Sequence, residues 1–94
     1  MRVSATSSIT HLCPYKQERD FGTVEISWTV APGSSPVELH ALAEKVQSFT
    51  DVHLTHEAVT WDLHQWIDGL VGDSGEVGVV TRWVTAGMDV EVRA

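Results

Sequence analysis

The sequence predicts an α+β domain in the order strand, strand, helix, helix, strand, strand. Three observations carry that prediction. Residues 23–30 alternate strictly between apolar and polar, two apolar stripes at helical spacing fall between Pro36 and Gly72, and β-type residues return from Val77 to Val92. The order suits a four-stranded, mostly antiparallel sheet with both helices on one face. At 94 residues, the span 1–94 reads as a single domain.

Val3 to Leu12 mixes Ser and Thr with spaced apolar residues and reads as a first strand. Val24, Ile26, Trp28 and Val30 then share one side of the second, with Thr23, Glu25, Ser27 and Thr29 on the other. Ala31-Pro32-Gly33-Ser34-Ser35-Pro36 is a loop within the domain. Ser35-Pro36-Val37-Glu38 reads as a helix start, with Ser35 as cap and Glu38 closing a reciprocal capping box. Leu39, Leu42, Val46 and Phe49 follow as one stripe. Thr55 caps the second helix, Val59, Leu63, Trp66, Ile67 and Leu70 form its stripe, and Gly72 stops it. The last two strands meet near Thr85-Ala86-Gly87.

A net charge of −7 argues against a non-specific nucleic-acid binder, which needs a basic footprint. One cysteine excludes an intramolecular disulfide framework. No run approaches the 18 or so apolar residues of a membrane span, and the N-terminal residues lack the apolar core of a secretion signal. A soluble, cytoplasmic protein with no membrane partner is expected. A chain of this size buries only about 60–65% of its unfolded surface, and its sheet has edges to cover, so a homo-oligomer is expected.

Cys13 is the one thiol, in His11-Leu12-Cys13-Pro14, ahead of a polar loop with Lys16, Arg19 and Asp20. A thiol becomes a nucleophile as thiolate, which a nearby cation (Lys16 or Arg19) or base (His56) promotes. Its plain alternative is an inert buried cysteine. Asp20 is either an acid–base partner of that thiol or a turn carboxylate. His56-Glu57 opens a helix, where the macrodipole alone accounts for a carboxylate and where a pocket would also lie. Glu38 is accounted for by capping. Trp28, Trp61, Trp66 and Trp83 lack interleaved basic residues, which favours core or subunit contacts over base stacking.

Leu12-Cys13-Pro14, Asp20 seven residues after Cys13, and the alternating strand that follows resemble the nucleophile segment of the nitrile reductases (QueF, 7-cyano-7-deazaguanine reductase). Ser48-Phe49 and, further on, His56-Glu57 resemble that family's Ser-Phe and His-Glu pairs. Trp83-Val84-Thr85-Ala86-Gly87-Met88-Asp89-Val90 resembles its last hairpin. The resemblance covers residues 6–92 and implies the tunnelling T-fold, with subunits assembled into a barrel and pockets between neighbours. It implies that Cys13 attacks the nitrile carbon of a 7-cyano-7-deazapurine to give a covalent thioimide. Asp20 would move the proton this requires and His56 would shuttle protons. Glu57 would hold the ring and exocyclic N–H donors of the heterocycle, and Glu38 is the other expected substrate-binding carboxylate.

The departures bear on the second half of the reaction. The reductases carry a cofactor signature of Glu-Ser-Lys, Ser or Ala, Leu-Lys, an aliphatic and an aromatic residue. Here the register reads Glu38-Leu39-His40-Ala41-Leu42-Ala43-Glu44-Lys45, without the signature lysines and with an acid inside it. The family's Pro-Arg-Gly-Gly has become Thr85-Ala86-Gly87-Met88. Cations of that kind hold a cofactor phosphate, so NADPH use is doubtful. The expectation is therefore a reductase-like enzyme, an oxidoreductase by label, with its NADPH signature degraded. The alternative is a QueF-like amidinotransferase adding ammonia to a 7-cyano-7-deazaguanine in nucleic acid, a polyanion that −7 does not favour. A non-catalytic purine- or pterin-binding T-fold module is a third reading. A metal-dependent T-fold hydrolase using His11, Cys13, His53 and His56 is a fourth; their spacing matches no common zinc signature, and no metal is expected.

Overall fold

A computed structural model describes residues 1–72 and 75–94. The elements are β1 (Arg2–Leu12), β2 (Arg19–Thr29), α1 (Leu39–Gln47), α2 (His56–Val71), β3 (Val77–Thr85) and β4 (Met88–Arg93). The strands form one sheet in the order β1-β2-β3-β4, each pair antiparallel. The expected class, order and sheet are all present.

One face of the sheet is covered by both helices. Ile9 of β1, Val24, Ile26 and Trp28 of β2, and Val79 and Trp83 of β3 pack with Leu42 and Val46 of α1, with Phe49, and with Val59, Leu63 and Ile67 of α2. Burial of each such side chain is worth about 1.5–3 kcal/mol, so the alternating and helical stripes meeting here hold the fold together. Leu39 and Leu70, expected in those stripes, are exposed. They sit in the outermost turns of their helices, where the stripe runs past its partners. Trp61 is also exposed, stacked on His64 with ring centroids 5.6 Å apart.

β2 begins four residues before the alternation at Thr23, because Arg19 to Gly22 pair with Leu12 to Ile9 across the hairpin. The start of α1 also differs from expectation. The helix begins at Leu39 and its N-cap is Glu38, not Ser35. The Glu38 carboxylate accepts from the N–H groups of His40 (2.9 Å) and Ala41 (2.7 Å). Val37 packs against the core and Glu38 after it is still extended (φ −78°, ψ 117°), so the helix starts one residue later and Glu38 takes the cap. At α2 the expected cap is present: Thr55 Oγ1 accepts from Ala58 N–H at 3.1 Å. Gly72 ends the helix at φ 69°. Ala86 (φ 52°) and Gly87 (φ 74°) join β3 to β4 as a two-residue turn with both φ positive, the pattern that matches strand twist in hairpins. No helix among the described residues is long and apolar enough to cross a membrane.

Candidate functional site

His11 and Asp20 face each other across β1 and β2 as register partners. Strand alternation puts His11 on the same side as Ile9, so its imidazole enters the core and is only 1% exposed. Its Nδ1 lies 3.2 Å from the Leu12 carbonyl oxygen and donates to it. Burial, aided by the neighbouring His56, holds the ring below its ordinary pKa of 6.5 despite that carbonyl and the Asp20 carboxylate. The neutral ring therefore keeps a bare lone pair at Nε2. Among the described residues that atom is buried without a hydrogen-bond partner, 3.7 Å from Asp20 Oδ2.

The segment between the helices is fastened to the end of this hairpin. Leu12 N–H donates to Val52 O at 3.0 Å, and Leu54 N–H donates to Leu12 O at 3.2 Å. Arg19 donates to the Thr50 carbonyl and, at 2.6 Å, to the Asp51 carboxylate. With the chain pinned there and α2 capped by Thr55, the first helical residue is His56. Its Nε2–H donates to Asp20 Oδ2 at 3.0 Å. Both side chains are mostly buried, at 13% and 16% exposure, which leaves a narrow opening to solvent.

Trp83 is the wall of this cluster. Its indole stacks on His56, centroids 4.5 Å and planes 5° apart, and meets His11 edge-on at 4.8 Å. The indole is fixed in turn: Nε1–H donates to Thr81 Oγ1 at 2.9 Å, and Thr81 shares a 2.6 Å hydrogen bond with Thr60. Thr60 Oγ1 closes the circuit on the His56 carbonyl at 2.7 Å. Gly22 makes room, since a Cβ there would stand 2.5 Å from the Trp83 ring.

The expected site residues are distributed as follows. Asp20 and His56 are in contact. Cys13 is half-buried in the connection between β1 and β2, its N–H bonded to Glu18 O (2.7 Å) and its carbonyl to Gln17 N–H (3.0 Å). Arg19 is engaged by Asp51, away from the role of thiol cation. Glu57 is exposed in the first turn of α2, where the macrodipole favours it. Glu38 caps α1 and pairs with His40 at 3.0 Å. Of the residues considered for metal, His11 and His56 come together with Asp20, while Cys13 and His53 stand outside that group. Trp83 and Thr81 carry no chemical motif, and only the positions of β3 place them here. A concavity of about 550 Å³ lies between Phe21, Arg82, Val84 and Glu91 and includes none of His11, Asp20 and His56.

No family model and no curated protein sequence matches the chain. Among solved structures, the apo form of the archaeosine synthase QueF-Like is similar over 99% of this chain and 90% of that one, with a TM-score of 0.89 at 20% identity. The chain has the T-fold. Nearly the whole length of both chains takes part, so the T-fold arrangement is carried by hydrophobic pattern and topology rather than by residue identity.

Proposed function

We propose that this T-fold chain is an enzyme that captures the nitrile of a 7-cyano-7-deazaguanine-type substrate on Cys13 and passes it to ammonia. The observation that carries the reading is the Asp20–His56 pair, 3.0 Å apart and mostly buried, with Asp20 on the strand that follows the Cys13 loop and His56 at the start of α2. The Cys13 thiolate adds to the nitrile carbon, one C–N π bond breaks, and the nitrogen takes a proton from Asp20, re-supplied through His56. Ammonia then adds to the same carbon and the thiolate leaves, giving an amidine. An acid placed for such a step contributes typically 10²–10⁴-fold. Glu57 accepts the N–H donors of the heterocycle, an arrangement that rejects bases lacking them.

Ammonia is preferred over hydride for two reasons. The archaeosine synthase likeness is one. The other is α1, where the NADPH signature is degraded: Lys45, its one lysine or arginine, is held by Asp62 at 3.2 Å, and Glu44 stands exposed beside it. Neither offers a cofactor phosphate a partner.

The test offers 7-cyano-7-deazaguanine, free or within an RNA, with ammonium or with NADPH, and follows product mass. Amidine with ammonium supports the reading. The aminomethyl product with NADPH would replace it with reduction, and no product with either would overturn it.

A further inference from the structure

We propose that His11, Asp20 and His56 form a three-donor site for a divalent transition-metal cation of the zinc class. Their donor atoms all lie within 4.8 Å of one another, with 3.0 Å between His56 Nε2 and Asp20 Oδ2 and 3.7 Å between His11 Nε2 and Asp20 Oδ2. Donors about 2.0–2.2 Å from a tetrahedral ion stand about 3.4 Å apart, between those two separations. Two imidazoles and a carboxylate are a borderline-soft set, suited to zinc and its neighbours rather than to magnesium or calcium.

The second, independent observation is His11 itself. Its Nε2 is buried, unpartnered among the described residues and aimed at Asp20, an acceptor facing an acceptor. Leaving a polar atom so placed is unfavourable, and a cation between the two would relieve it. Its other nitrogen already donates to the Leu12 carbonyl, the outer contact that orients a metal-binding imidazole. Trp83 fixes both rings, and the partial exposure of Asp20 and His56 leaves a way in. Three protein donors would leave a fourth position open.

Occupancy has a consequence for the proposed chemistry, and only this part rests on that reading. With the ion on His56 Nε2 and Asp20 Oδ2, the ring proton that His56 now donates to Asp20 would move to Nδ1, so metal and the acid step would exclude each other. Zinc would act as a reversible inhibitor.

Equilibrium dialysis against zinc tests the site. One zinc per chain is expected. His11→Phe and Asp20→Asn, each checked for folding by circular dichroism, should weaken binding by more than the roughly 10–100-fold that an outer contact is worth. Cys13→Ala should bind as the wild type does. No zinc bound by the wild type overturns the proposal. So does binding that survives both His11→Phe and Asp20→Asn, or that is lost in Cys13→Ala. Thioimide formation in metal-free protein is scored separately, so its failure would count against the proposed function and leave the zinc result standing.

Discussion

Trp83 lies flat against His56, planes 5° apart and centroids 4.5 Å apart, so the orientation of the imidazole that touches Asp20 is set from a neighbouring strand. That stack depends on Gly22, the register partner of Trp83. A methyl group there would meet the indole and the Arg82 carbonyl, which is backbone and cannot turn aside. Gly22→Ala is expected to destabilise the fold by about 1–3 kcal/mol, as overpacking does. Urea denaturation with Trp fluorescence measures it, and an unchanged midpoint would show that the indole does not occupy this space.

Thr81 is the fully buried link between Trp83 and Thr60. Thr81→Val keeps the shape but leaves the indole N–H without its acceptor, while Thr60 retains the His56 carbonyl. A loss of about 1–3 kcal/mol is expected from the orphaned donor. Denaturant midpoints for the two proteins decide it.

His11 gives stability a pH dependence of definite sign. Burial favours its neutral form in the folded chain, opposed by the carbonyls of Leu12 and Leu54 and by Asp20, with His56 adding to the lowering. The unfolded chain therefore binds more protons below the ordinary pKa of 6.5. His11's contribution is complete above that value and is lost as pH falls beneath it. The melting temperature of the wild type should drop more steeply from pH 7 to pH 5 than that of His11→Phe. Parallel profiles would remove His11 from the account.

The α1 cap distinguishes two carboxyl roles. Glu38 is held below the usual carboxylate range by the N–H groups of His40 and Ala41. Glu38→Ala should lower the melting temperature at pH 7 and Ser35→Ala should leave it unchanged. The reverse result would restore the Ser35 capping box.

The residues made some of this legible and hid the rest. Val24, Ile26 and Trp28 announced β2 because a half-buried strand leaves a period of two, and Thr55 announced α2 because an N-cap is a local device. The start of α1 was ambiguous, since both Ser35-Pro36 and Glu38 are start signals. What decided it was Val37 packing into the core, which is a tertiary fact. Asp20 and His56 are candidates as acid and base beside the Cys13 thiol, and the nitrile reductase resemblance adds to that, but their contact depends on Leu12 and Arg19 pinning the inter-helix segment. The unpaired lone pair of His11 and the Trp83 stack arise between elements distant in the chain, and no spacing rule records them.

The central claim is a covalent bond between Cys13 and a nitrile carbon, made with the help of Asp20. The direct measurement is the intact mass of the protein after incubation with 7-cyano-7-deazaguanine without cofactor or ammonia, beside Cys13→Ala and Asp20→Asn. The account predicts a gain equal to the mass of the nitrile in the wild type, none in Cys13→Ala, and formation slowed by about 10²–10⁴-fold in Asp20→Asn. An unmodified wild type that nonetheless binds the ligand saturably would contradict it and leave a T-fold binding module in its place.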